Sequence, residues 1–209
     1  SGCMSIGSIQ VTQPLSSMSY TLNQNNVSCN GANNGNINLN VSGGTPPYSY
    51  VWNINPSPNS PTINNLSPGN YSVTVYDAHS CMVISNIQIT EPQALILNTT
   101  NIQHVNCFGG NNGSIQVTAS GGTAPYTYNW NNNSNSALIN NLTAGNYSLT
   151  LTDANGCSQN QNYTINQPTQ LVSNIASINQ ISCFGANNGN ANIVVNGGVA
   201  PYNINWNTN

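Results

Sequence analysis

Apolar and polar residues alternate along most of this chain, in short runs. Ile37, Leu39 and Val41 share one parity, as do Tyr48, Tyr50 and Trp52, and then Tyr71, Val73 and Val75. A period of two marks a strand with one face buried. The pattern predicts strand A over 19–27, B over 36–42, C over 48–54, a short E over 62–66, F over 71–76 and G over 82–90. Turn residues separate the runs: Asn34-Gly35, Gly43-Gly44, Pro68-Gly69 and the stretch from Asp77 to Ser80. Each supplies a positive φ, a fixed φ or a local side-chain bond. No segment shows helical periodicity or a good helix start. Short strands divided by turns predict an antiparallel β-sandwich.

Two details narrow that expectation to an immunoglobulin-like sandwich. Trp52 lies on strand C, where such a fold centres its core. Leu66-x-x-Gly69-x-Tyr71 and Leu142-x-x-Gly145-x-Tyr147 have the form of a tyrosine corner, a phenol bonded back to backbone near the start of F. The bland alternative is that Trp and Tyr are simply good strand residues.

The pattern is written three times. Cys29-Asn-Gly-Ala-Asn-Asn-Gly35 returns from Cys107 to Gly113 and from Cys183 to Gly189, 78 and then 76 residues on. A Gly-Gly-x-x-Pro-Tyr run follows each time, starting at Gly43, Gly121 and Gly197, and Trp52, Trp130 and Trp206 close the series. A period this long is a small domain rather than a solenoid turn. Boundaries fall at Gln13-Pro14, Glu91-Pro92 and Gln167-Pro168, because Pro stops a ladder. Residues 15–92 and 93–168 are then complete units. Residues 1–14 are read as the last strand of a preceding unit, and 169–209 as the first three strands of a following one. The chain is thus expected to be a segment of a longer tandem array. Trp52, Trp130 and Trp206, with Tyr71 and Tyr147, are the expected structural core residues.

Composition removes several function classes. The chain has no Lys and no Arg; its acids are Asp77, Glu91 and Asp153, and its net charge is −3. Phosphate neutralisation needs cations, so nucleic acid is excluded as a partner, and so is attraction to an anionic membrane surface. No apolar run is long enough to insert in a membrane as a helix, and no basic leader opens the sequence. Asparagine supplies 44 of the 209 residues. The alternating apolar runs still argue for folded domains over a disordered tract.

Six cysteines occupy two places in the repeat: Cys29, Cys107 and Cys183 before the Asn-Gly turn, and Cys3, Cys81 and Cys157 between F and G. Neither set has zinc spacing, so disulfides and an oxidising, extracellular compartment are expected. In a seven-strand sandwich the A–B loop and the F–G turn lie at opposite ends. Cystine Cα atoms must approach within about 7 Å, so strand parity favours an inter-unit bond, Cys29 to Cys157. Cys81 and Cys107 would then bond to units outside the segment. Intra-unit pairs, Cys29–Cys81 and Cys107–Cys157, remain open if the strand count is off by one.

Catalytic chemistry is thin. Asp77 and Asp153 open equivalent turns, where Asp ordinarily caps its own backbone, and they belong to different units. His79 and His104 do not recur, so each looks like drift. Calcium wants several carboxylates at one place. The Gly-Asn-Asn-Gly loops lack the lysine of a phosphate loop. No enzyme, no cofactor and no metal is expected.

The combined string resembles the SprB repeat: Cys-x-Gly-x-Asn-Asn-Gly, then Ser-Gly-Gly-Thr-Pro-Pro-Tyr-Ser-Tyr-x-Trp, then Leu-x-x-Gly-x-Tyr and Asp-Ala-x-x-Cys. That repeat occurs in very large surface adhesins of gliding Bacteroidota. The resemblance implies a cell-surface filament, type IX secretion, and a role in adhesion or gliding motility. It carries no catalytic residues. Expected partners are the adjacent repeats of the same chain and neighbouring rods held side by side through neutral Asn, Ser and Thr surfaces; which external surface or polysaccharide is bound is not encoded in the sequence. The alternative is a carbohydrate-binding or other ligand-binding module repeated for avidity.

Overall fold

The computed structural model describes residues 2–4, 6–10 and 16–207, so the Gln13-Pro14 boundary lies outside the described residues. The chain divides into two compact units, Ser1–Ala94 and Leu95–Asn209.

The first unit holds β1 (Ser19–Asn25), β2 (Gly35–Ser42), β3 (Ser49–Trp52), β4 (Thr62–Leu66), β5 (Gly69–Tyr76) and β6 (Met82–Ile89). They form two three-stranded antiparallel sheets, ordered β1-β2-β4 and β3-β5-β6. In letters these are A-B-E and C-F-G, the two-sheet division of an immunoglobulin-like sandwich. No strand D is present among the described residues of this unit. The alternation read in the sequence fills the space between the sheets: Ile37 and Leu39 from one, Trp52, Val73, Val75, Ile87 and Ile89 from the other, with Ile63 and Leu66. These ten buried side chains, counting Val27, are the core that a chain of this size can assemble.

The second unit repeats the plan with β7 (Ile96–Gln103), β8 (Gly113–Ser120), β9 (Thr127–Trp130), β10 (Leu138–Leu142), β11 (Gly145–Thr152) and β12 (Ser158–Ile165). The sheets are β10-β8-β7 and β12-β11-β9. Trp130 packs against Tyr163 with ring centroids 5.4 Å apart. The first unit has Ile87 at that place.

Two sequence expectations need correction. Among the described residues of 169–209 only β13 (Val172–Asn179) and β14 (Asn190–Asn196) form, paired with each other. The third strand does not form, and Trp206 is 56% exposed rather than a core residue. Strand C is held by pairing with F, as Trp52 is with Val73, and the sequence contains no third F strand. For the same reason residues 2–4 and 6–10 carry no strand, where a last strand G was expected.

Strand C is an edge, and its outward amides are closed by its own loop. Asn59 Oδ1 accepts from Tyr50 N–H, and Ser57 Oγ from Trp52 N–H, both at 2.8 Å. In the second unit Trp130 N–H donates instead to the Ser134 carbonyl at 3.0 Å.

Candidate functional sites at the two ends of each repeat

One end of each sandwich is organised by a buried aspartate. Asp77 is 5% exposed. Its Oδ1 accepts from His79 N–H and Cys81 N–H at 2.9 Å, closing the F–G turn. Its Oδ2 reaches across to Thr45 N–H at 3.0 Å, and Ala78 N–H donates back to the Thr45 carbonyl at 2.8 Å. Asp153 does the same with Asn155, Cys157 and Thr123. Burial pushes the Asp77 carboxyl up, but the N–H groups of Thr45, Cys81 and His79 outweigh it and hold the acid below its ordinary range. Asp153 is lowered in the same way, burial opposing and the Thr123, Cys157 and Asn155 amides prevailing.

The Gly-Gly-x-x-Pro-Tyr run belongs to this knot. The Gly43 and Gly121 carbonyls accept from Tyr48 and Tyr126 Oη at 2.6 Å. Gly122 has φ +57, and a Cβ there would lie 2.7 Å from Asp153 Oδ2. The glycine therefore serves both the backbone conformation and the close approach of the carboxylate. Two motifs far apart in sequence form one structure. The sequence reading, which gave the aspartates only a local turn role, missed the second half of it. The signal was their joint recurrence in both complete units.

The opposite end carries the A–B loop. Asn34 Oδ1 accepts from Ser28 N–H at 3.0 Å and its Nδ2 donates to Ser28 Oγ at 2.6 Å. Asn112 accepts from Asn106 N–H, and Asn188 from Ser182 N–H. The second Asn of the motif is thus the clasp of its own loop. The end of strand G docks here: Val27 N–H donates to the Thr90 carbonyl, Gly31 N–H to Glu91 Oε2 at 2.6 Å, and in the second unit Gly109 N–H to Gln167 Oε1 at 2.8 Å. His104 is not drift. Its Nδ1 accepts from Asn166 N–H at 3.1 Å, the role that Asn26 Oδ1 plays for Thr90 N–H.

The tyrosines and tryptophans bind the loops to the sheets. Tyr71 Oη donates to the Ser67 carbonyl at 2.9 Å, and Tyr147 Oη to the Thr143 carbonyl at 3.0 Å. Trp52 and Trp130 are 3% and 1% exposed. Each indole N–H donates to a loop carbonyl, Ser60 and Ser136, at 2.9 Å.

Cys29 and Cys157 are disulfide-bonded, whereas Cys3, Cys81, Cys107 and Cys183 are exposed free thiols. The intra-unit pairs Cys29–Cys81 and Cys107–Cys157 therefore do not form. Cys29 lies where β6 ends and Cys81 where it begins. Eight strand residues at about 3.4 Å each separate the two ends, well beyond cystine reach. Phe108 and Phe184, the aromatic residues of the other two A–B loops, are solvent-exposed. Among the described residues no group of three or more His, Cys, Asp or Glu could hold a metal ion, and no helix is long and apolar enough to cross a membrane.

Small immunoglobulin-like sandwiches repeated in tandem, each knotted at both ends by the same motifs, define the class of this protein as a modular repeat protein. The chain belongs to the SprB-repeat family: the SprB repeat matches residues 21–56, 99–135 and 175–209. SprB repeats belong to surface adhesins, and no catalytic domain is identified in the chain. No curated protein matches. Among solved structures the chain is similar to the C-terminal 282-residue fragment of intimin, determined in complex with the intimin-binding domain of the translocated intimin receptor. The identity is 14% over 76% of this chain and 67% of that one, with a TM-score of 0.42. It is also similar to the N-terminal eight Ig domains of Down Syndrome Cell Adhesion Molecule (13%, 74% of this chain and 25% of that one, TM-score 0.35). The amphioxus IgVJ-C2 molecule is a third likeness (15%, 59% and 91%, TM-score 0.29).

Proposed function

We propose that this segment is a structural and adhesive stretch of a large extracellular surface filament, serving cell-surface attachment or gliding motility after export by type IX secretion. The observation that carries the reading is membership of the SprB-repeat family in three successive copies. Oxidised Cys29 and Cys157 fit an extracellular location. The geometry is consistent with load-bearing: both ends of each complete sandwich are closed by hydrogen bonds between sequence-distant loops rather than left as free turns. Antibodies raised to the segment and applied to intact producing cells test the reading. Surface labelling and inhibition of attachment are expected. Labelling only after permeabilisation would refute it.

We further propose that Cys29 and Cys157 are bonded to each other, so that successive repeats are stapled, and that Cys81 and Cys107 meet equivalent partners in repeats beyond this sequence. Strand parity, which puts the A–B loop and the F–G turn at opposite ends of a sandwich, supports this pairing. Adjacent repeats are then the primary partners, and lateral association of rods through neutral surfaces is the second. Non-reducing peptide mapping after chymotryptic digestion should recover one cross-linked pair containing Cys29 and Cys157; Cys29 linked to any other cysteine of the segment contradicts it.

A further inference from the structure

Each of the two complete repeats has an open groove on the outer face of its own C-F-G sheet. In the first it is lined by Asn53, Asn70, Ser72, Asn86 and Gln88, with Tyr71 and Ile87 between them. In the second it is lined by Asn131, Asn146, Ser148, Asn162 and Thr164, with Tyr147 and Tyr163 between them. Register fixes the array: Asn70 faces Gln88 and Ser72 faces Asn86 across β5–β6, and Asn146 faces Thr164 and Ser148 faces Asn162 across β11–β12. Neighbouring polar groups are thus about 4.8 Å apart across the strands and about 7 Å apart along them.

One wall is rigid. Asn53 takes over where strand C stops: its Oδ1 accepts from Ser72 N–H at 2.9 Å and its Nδ2 donates to the Asn70 carbonyl at 3.3 Å. Asn131 repeats both bonds with Ser148 and Asn146. The amides of Asn86 and Asn162 project from the same floor, exposed, and neither side chain makes a hydrogen bond among the described residues. A free primary amide offers two donors and an acceptor on one plane, a match for ligand hydroxyls that both donate and accept.

We propose that this groove is a binding site for an uncharged glycan, present once in each complete repeat. The residue types select the ligand class. A protein partner is anchored by apolar or aromatic side chains that it can bury, and here Tyr71, Ile87, Tyr147 and Tyr163 pack towards the core, leaving amides and hydroxyls as the outward-facing side chains. An acidic glycan would be held by charge-assisted bonds from Arg or Lys, and the chain has neither. One such shallow site is weak; repetition along an array multiplies the affinity by avidity. The site does not depend on the adhesin reading, since it stands on register and hydrogen bonding alone.

Titration of the full segment with neutral oligosaccharides (gluco-, manno-, galacto- and xylo-hexamers) and with an oligouronate tests the proposal. At least one neutral oligosaccharide should bind, and the oligouronate should not. The double variant N86A/N162A should weaken binding about tenfold or more, the loss of good hydrogen bonds in both sites, with an unchanged melting temperature. Asn23→Ala, on the other sheet of the first unit, should leave binding unchanged. Failure of all four neutral ligands, equal binding of the uronate, or binding indifferent to N86A/N162A would overturn the assignment. Self-association of the segment that N86A/N162A abolishes, without glycan binding, would also overturn it and give the groove to a second copy of the chain.

Discussion

Thr45 and Asp77 stand 32 residues apart in the chain, and the amide of one donates to the carboxylate of the other at 3.0 Å. The same bond joins Thr123 to Asp153 at 2.9 Å. It ties the B–C loop to the F–G turn, so the end of each sandwich is a closed structure built on a single ionised side chain. Glu91 is the only other acidic residue in the sequence.

That scarcity makes acid sensitivity attributable. Both aspartates are held below the ordinary value in the folded state, so the unfolded chain binds more protons as pH falls. The stabilisation is complete above the unfolded value of about 3.9 and is lost as pH drops through the lower folded one. The melting temperature should therefore be flat from neutrality to about pH 5 and fall below about pH 4. D77N/D153N should be less stable at pH 7 and should lose most of that acid limb. A limb of unchanged depth in the double variant would show that other groups carry it.

Gly122 and Gly156 separate two costs of a side chain. Both have positive φ, but Gly156 faces open space while Gly122 faces the Asp153 carboxylate. Gly156→Ala should cost about 1–2 kcal/mol, the strain of a left-handed conformation. Gly122→Ala should cost more, because the Asp153 bond to Thr123 must shift as well. Chemical denaturation of the second unit checks the order; equal losses would remove the aspartate from the argument.

The tryptophans predict an asymmetric series. Trp130→Ala should destabilise its unit by about 3–5 kcal/mol, and Trp52→Ala comparably. Trp206→Ala should change the stability of the segment by no more than about 0.5 kcal/mol, since Trp206 is exposed. Tyr71→Phe removes one hydrogen bond to the Ser67 carbonyl and should cost about 1 kcal/mol. Thermal or denaturant unfolding reads all four.

Association between copies, on the lateral reading proposed above, should ignore salt. Surface ion pairs weaken as the Debye length shrinks, and a chain without Lys or Arg forms none with its own kind. Sedimentation at low and at molar salt should give the same distribution of species. Bundles that dissolve as salt rises, or a monodisperse segment at high concentration, would count against lateral packing.

The strands were legible because one face of each is buried. Ile37 and Leu39, or Val73 and Val75, announce their side of the sheet by parity alone, and the observed strands begin and end within about two residues of that pattern. The ends were less legible because side chains replace backbone there. Strand C stops at Trp52 since the Asn53 amide supplies the next pair of bonds. Strand A stops at Asn25, and Val27 bonds instead to Thr90. Nothing in periodicity signals an amide acting as a peptide group. The reach of Asp77 to Thr45 was invisible for a related reason: a turn cap and a tertiary clasp use the same residue type. The grooves escaped notice because exposed Asn on a strand reads as ordinary solvated surface until register sets the residues side by side.

Asn59 and Ser57 lie in the link between β3 and β4, and they occupy the amides through which β3 would otherwise recruit a foreign strand. The protecting groups and the edge they protect are thus encoded within a few residues of each other. A gene that gains or loses whole repeats by recombination carries β3 together with its cover. Copy number can then drift at that locus without parting this edge from the groups that close it, which helps in building long proteins out of similar parts.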